Sequence, residues 1–174
     1  LIKKLKITKS DSSSKSDITI NDVNYSVKDV GGGPPSILNH TTRPGFERVC
    51  NYLNVDVATL DEIIDDYWDK RIAGDIKEDV KNSDSNSSPF YDYKEYLKPI
   101  ITYFTFTGTG KEESNFPADK ILELDYKKLP ESIKIFEKAV YFDKIWERLQ
   151  ISVRSKNMPK KYPKSKNYKS ISKW

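Results

Sequence analysis

Asp17, Ser26 and Lys28 are the residues whose types and spacing bear most directly on chemistry. They lie in the run Ser16-Asp17-Ile18-Thr19-Ile20-Asn21-Asp22-Val23-Asn24-Tyr25-Ser26-Val27-Lys28. Ile18 and Ile20 alternate with polar neighbours, Asn21 to Asn24 carry turn chemistry, and Tyr25 to Lys28 resume a β-prone alternation, so the run predicts a β-hairpin with Asp17 opening its first strand. Successive side chains of a strand point to opposite faces, which places Ser26 and Lys28 on one face and Tyr25 and Val27 on the other. A carboxylate and an ammonium that meet across a hairpin suit phosphodiester hydrolysis: the carboxylate holds a divalent cation against the phosphate, and the lysine orients the attacking water and offsets developing negative charge. The same spacing describes an ordinary hairpin with a solvated Asp and Lys. In a lysine-rich chain, spacing alone does not separate the two.

The surrounding pattern adds to the chemical reading. Lys15-Ser16-Asp17-Ile18 and Tyr25-Ser26-Val27-Lys28 resemble the motif of the PD-(D/E)xK nuclease superfamily, most closely its type II restriction endonucleases. Ser26 stands where that family usually has Glu or Asp. The resemblance implies a magnesium-dependent endodeoxyribonuclease acting on double-stranded DNA, with Asp17 binding Mg2+, the Val27 carbonyl as a further ligand, Ser26 assisting through its hydroxyl or backbone, and Lys28 positioning the water. It is sharp over the hairpin and architectural beyond it. With Ser26 in place of the acid, the second metal-binding carboxylate is unassigned. Glu47 is the nearest helical candidate, although a Glu in the first turn of a helix is also what the helix dipole favours. The resemblance further implies a homodimer, because palindromic sites match two-fold symmetry.

Composition bounds these readings. A chain of 174 residues and 20.1 kDa is long enough for one domain with a real core. Hydrophobic residues at 36% with aromatics at 12% argue for a folded chain. The sequence shows no membrane span and no signal peptide, and its single cysteine, Cys50, fits a reducing cytoplasm. One Cys and one His exclude a zinc site built on those ligands, whereas a hard cation held by oxygen ligands is compatible. The net charge of +4 is unevenly placed: from Arg154 to Trp174 there are eight Lys or Arg and no acids, leaving 22 basic against 26 acidic residues elsewhere. That segment, with Arg154, Lys156, Lys160 and Lys161 interleaved with Tyr162, Tyr168 and Trp174, suits a nucleic-acid-contacting arm. A disordered tail has the same composition.

The elements that must position the hairpin follow in order. Leu1 to Thr8 predicts a short edge strand, and Lys9 to Lys15 a solvated linker or a phosphate-touching flap. The chain begins at Leu1 rather than at methionine, so an upstream piece is expected to be missing, including the helix that usually precedes the hairpin in the resembling nucleases. Gly31-Gly32-Gly33-Pro34-Pro35 is no phosphate-binding loop, since the following Gly-Lys-Ser/Thr is absent. The next loop supplies Asn39, His40 and Arg43 for base or phosphate contact, or for local hydrogen bonds. Pro44 starts a helix with Phe46, Val49, Cys50 and Leu53 on its buried stripe, and Thr59 with Glu62 predicts a capping box for a second, acidic helix to about Arg71. A short helix is expected from Asp75 to Lys81, and Asn82 to Ser88 reads as a loop or a seam between lobes. Ile100 to Thr107 predicts a central strand, Ile121 to Leu124 a short strand, Pro130 onward a helix, and Trp146 to Val153 a last strand.

Together these predict an α/β or α+β layer fold, a mixed sheet flanked by helices with a restriction-endonuclease-like core over residues 1–153, followed by a basic arm over 154–174. The alternatives are a nucleic-acid-binding module on the same fold that has lost cleavage, and a structural or protein-interaction domain.

Overall fold

The computed structural model describes residues 6–11, 14–32, 36–37, 41–77 and 80–151. β1 (Ile7–Lys9), β2 (Ile18–Ile20) and β3 (Val23–Asp29) form an antiparallel meander. Asn21 and Asp22 both have positive φ, 48° and 64°, as a two-residue type I′ turn requires, and its twist matches that of the strands it joins. This turn sets Ile18 opposite Tyr25 and Ile20 opposite Val23. The predicted hairpin is present, with a tighter turn than four residues: β3 begins at Val23.

The chain then runs through β4 (Ser36–Ile37), α1 (Arg43–Leu53), α2 (Val57–Ala73), β5 (Val80–Lys81) and α3 (Lys94–Thr102), which passes directly into a π-helical turn over Tyr103–Thr107. β6 (Lys120–Leu124) returns to lie parallel to β3, with Ile121 beside Ser26 and Glu123 beside Lys28. β7 (Lys134–Glu137) pairs antiparallel with β6, α4 (Lys138–Ile145) follows at once, and β8 (Gln150–Ile151) closes a small sheet with β4 and β5. The principal sheet therefore has the order β1-β2-β3-β6-β7, and the architecture is α+β with a mixed sheet.

One face of this sheet carries Ser26, Ile121 and Glu123, all buried, and the helical layer packs on it. Phe106 from the π-helical turn and Phe136 from β7 both meet the Tyr141 ring of α4, with centroids 5.9 and 5.6 Å apart. The core continues through α1 and α2 by way of Phe46, Leu60, Ile64, Tyr67 and Trp68 to Leu149. Among the described residues no helix is long and apolar enough to cross a membrane.

Several elements differ from their sequence expectation. Ile100 to Thr107 is helical, not a strand: Leu97, Ile100, Ile101 and Phe104 are buried at i, i+3, i+4 and i+7, a helical period that the neighbouring Thr and aromatic residues obscure. The helix expected after Pro130 starts later, because Lys134–Glu137 is taken into the sheet as β7, and the buried residues of α4 are Tyr141, Phe142 and Ile145. Of the predicted helix over Asp75 to Lys81, Val80–Lys81 is instead the strand β5, and of the predicted last strand Trp146–Arg148 is a 3-10 turn and Gln150–Ile151 is β8, with Ser152 and Val153 outside the described residues. Thr59 is not a cap. α2 starts at Val57, and the Asp56 carboxylate accepts the Ala58 N–H instead. Asn82 to Ser88 is a built turn with two buried polar ends: Asn82 donates to the Trp146 carbonyl at 3.0 Å and accepts from Ser88 Oγ at 2.9 Å.

Candidate active site

The β2 register carried one step outward puts Asp17 beside Ser26. The Asp17 backbone N–H donates to the Tyr25 carbonyl at 2.8 Å, while Asp17 Oδ2 accepts the Val27 N–H at 2.6 Å and the Ser26 hydroxyl at 3.2 Å. The carboxylate thus caps β3 where β2 has run out. Asp17 is exposed, and its Oδ1 has no protein partner among the described residues. In extended backbone the carbonyl of a residue points to the same side as its N–H, so the Val27 carbonyl also faces the Asp17 side of β3. Lys28, two residues beyond Ser26, shares the Ser26 face and is exposed. Asp17 and Lys28 share this region without forming an ion pair, so neither charge is cancelled by direct contact with the other.

Lys15 belongs to the same cluster. Far from a free linker, this residue is pinned on both ends: its backbone N–H is shared between Ser114 Oγ at 3.0 Å and the Phe116 carbonyl at 3.2 Å, and its ammonium donates to the Phe104 carbonyl at 2.8 Å. Ser16 N–H also bonds the Phe116 carbonyl, and Ser10 closes back on the Asp17 carbonyl. Burial holds the Lys15 ammonium below the ordinary lysine range, the charge of Lys28 pushes the same way, and Asp17 opposes both. Lys15 stands two residues before Asp17 in the Lys15-Ser16-Asp17-Ile18 segment that carries the motif resemblance, and that adjacency was the available signal for it.

Glu123 is the second residue missed. It stands beside Lys28 across the parallel β3 and β6 pair, 2% exposed, and its Oε1 accepts from the Tyr141 hydroxyl at 3.1 Å and from Arg148 Nη2 at 2.7 Å. A charged residue amid Ile121, Leu122 and Leu124 was its signal. Burial first, and then Glu123, drive the Tyr141 hydroxyl well above the ordinary tyrosine range.

Of the other predicted site residues, Arg43 and Glu47 are described, and each has a partner of its own. The Glu47 carboxylate is held by Arg43 at 3.1 Å on α1, which packs on α2 and α3. Arg43 itself is clamped to Asp61 by its Nε at 2.9 Å and Nη2 at 2.7 Å, so this guanidinium ties α1 to α2. Asn39, His40, Arg154, Lys156, Lys160 and Lys161 lie outside the described residues, as does the basic arm as a whole.

Whether these groups suit Mg2+ turns on their donor set. Among the described residues no three His, Cys, Asp or Glu side chains gather in a group that could hold a metal. Mg2+, however, keeps several waters and is commonly held by one or two carboxylates together with substrate phosphate, and Asp17 with the Val27 carbonyl meets that smaller requirement. The chain matches no protein-family model, no curated protein and no solved structure.

Proposed function

We propose that this chain is a magnesium-dependent endodeoxyribonuclease that hydrolyses phosphodiester bonds of double-stranded DNA, of the type II restriction kind and acting as a homodimer. The observation that carries the reading is the placement of Asp17, Ser26 and Lys28 at one end of a hairpin inside a mixed sheet, with the Asp17 carboxylate held by β3 and its second oxygen open. The motif resemblance supplies the chemistry; the paired strands supply a geometry compatible with it.

In this reading Asp17 and the Val27 carbonyl hold the cation, which when bound neutralises charge on the phosphate. Ser26 donates to Asp17 Oδ2 and so turns Oδ1 outward. Lys28 holds the attacking water and offsets the negative charge that builds on the phosphate oxygens as the water oxygen bonds to phosphorus and one P–O ester bond breaks. The arm from Arg154 adds sequence-independent attraction to the DNA backbone.

The test is incubation of the purified chain with supercoiled plasmid, with Mg2+ and with EDTA. Discrete fragments only with Mg2+ are the expected result. A salt-sensitive gel shift with no cutting favours the second reading, a nucleic-acid-binding module that has lost cleavage. Ser26 in the place of an acid is the observation that favours that alternative.

A further inference from the structure

The principal sheet has a second face. Tyr25 and Val27 alternate with the buried Ser26 along β3, and the register carries that alternation outward: Ile18 lies beside Tyr25, Ile20 beside Val23, Leu122 beside Val27 and Ile135 beside Leu122. Ile18, Ile20, Val23, Tyr25, Val27 and Leu122 are half-buried, Ile7 and Ile135 on the two outer strands are 58% and 53% exposed, and none of them belongs to the described hydrophobic core. Five strands at ~4.8 Å spacing and about five residues at ~3.3 Å each give a face of roughly 400 Å². An apolar patch of that size on a folded chain commonly marks an interaction site. Across its middle, Lys9, Lys120 and Glu137 bring charge into it, all in one row of the sheet that reads Lys9-Ile18-Tyr25-Lys120-Glu137. Lys120 is paired with Glu137 at 2.7 Å, whereas Lys9 has no ion pair among the described residues.

We infer that a second copy of the chain packs on this face, sheet against sheet, related by a two-fold axis that runs along β3. β3 is the middle strand of five, so such an axis lays β3 on its own counterpart, β2 on β6 and β1 on β7. Val23, Tyr25 and Val27 then meet the same residues at the centre. The row register brings Lys9 of each copy over Glu137 of the other, beside the Lys120 that Glu137 already holds. A two-fold axis across the strands sets Lys9 on Lys9 and Glu137 on Glu137 instead, like charge on like, so the charges select the first arrangement. The apolar face supplies about half of the ~800 Å² that each partner buries in a standard interface, and the charged row ends and strand ends form a polar rim around it. Lys28 belongs to the opposite, Ser26 face, so association leaves it open. The inference rests on the homodimer of the proposed function and gives that dimer its surface.

The experiment is sedimentation velocity on the full chain in EDTA without DNA, from low to high micromolar protein. The expected result is a monomer that passes to a species of twice its mass as concentration rises. Tyr25→Glu sets two charges together on the axis and is expected to weaken the dimer on the order of a hundred-fold. Lys9→Glu is expected to weaken it on the order of ten-fold, and Lys9→Glu combined with Glu137→Lys to recover part of that loss. Should Tyr25→Glu fail to fold, Ile7→Lys and Ile135→Lys decide, because these side chains are more than half exposed and the monomer tolerates charge there. A chain that stays monomeric throughout overturns the inference, and so does a dimer whose affinity is indifferent to Ile7→Lys and Ile135→Lys. A double variant no tighter than Lys9→Glu overturns the two-fold arrangement. A monomer that still cuts plasmid with Mg2+ sinks the interface and leaves the nuclease reading standing, whereas a dimer that Tyr25→Glu breaks but that never cuts does the reverse.

Discussion

The Val27 N–H donates to Asp17 Oδ2 at 2.6 Å, so the carboxylate at the head of the hairpin is held by the strand that carries Lys28. A charge-assisted hydrogen bond of this kind fixes the direction of the carboxylate. Asp17→Asn retains an oxygen for that N–H and removes the charge, so duplex binding in EDTA is expected to hold or tighten while Mg2+-dependent cleavage falls by orders of magnitude. Full cleavage by Asp17→Asn would falsify the proposed mechanism.

Lys28 and Ser26 share a face but are expected to contribute unequally. Lys28→Ala removes positive charge where negative charge develops, for a loss of about 10²- to 10³-fold in single-turnover cleavage. Ser26→Ala removes a neutral donor to Asp17 and costs less, because the Val27 N–H still holds the carboxylate. Glu47→Gln is expected to leave cleavage unchanged, since its carboxylate serves Arg43 on α1. Loss of cleavage in Glu47→Gln with normal folding would return Glu47 to the site.

The hairpin was legible because its signals are local. Alternation at Ile18, Ile20, Tyr25 and Val27 gives strand and face with no help from the rest of the chain, while the register follows the two-residue Asn21-Asp22 turn, shorter than the Asn21 to Asn24 turn expected. Residues 100 to 107 were not legible in the same way: apolar and aromatic groups on every side fit a buried strand and a buried helix equally, and packing of Leu97, Ile100, Ile101 and Phe104 decides for the helix. Glu123 could not be placed beside Lys28 from sequence, since their pairing spans the whole of α1, α2 and α3 and is set by tertiary structure. Lys15 was hidden for a related reason: its anchors are Phe104, Ser114 and Phe116, far along the chain.

Glu123 is also a stability prediction. Its buried carboxylate depends on Arg148 for countercharge and on Tyr141 for a hydrogen bond, and Arg148 is about half exposed. Removing one partner of a buried pair leaves an uncompensated charge, at a cost of about 3–5 kcal/mol when both are buried, and about 2–3 kcal/mol is expected for Arg148→Ala given the exposed arginine. Glu123→Gln keeps an acceptor for Tyr141 and is expected to cost less. Urea titrations of both variants check the order; equal destabilisation would show that loss of the ion pair, not a Glu123 charge left without its partner, sets the cost.

Asp143 gives the prediction with a pH window. The hydrogen bond from Lys94 first, and then that from Lys98, pull its carboxyl from an ordinary 3.8 down to about 2. A depressed folded-state pKa favours the folded protein above the unfolded value and loses that advantage as pH falls through the folded value. The contribution is therefore complete above about pH 5, mostly lost by about pH 2 and gone only below the folded value. Because Asp143 is at the surface and α3 and α4 are joined there by partly exposed lysines, the effect is modest and shrinks with added salt. Asp143→Asn is expected to be less stable than wild type at pH 5 and to have lost most of that difference by about pH 2, as read from urea midpoints across that range at low salt. A difference that stays constant from pH 5 to pH 2 would mean that the asparagine disturbs packing between α3 and α4, and that the two lysines do not set the Asp143 titration.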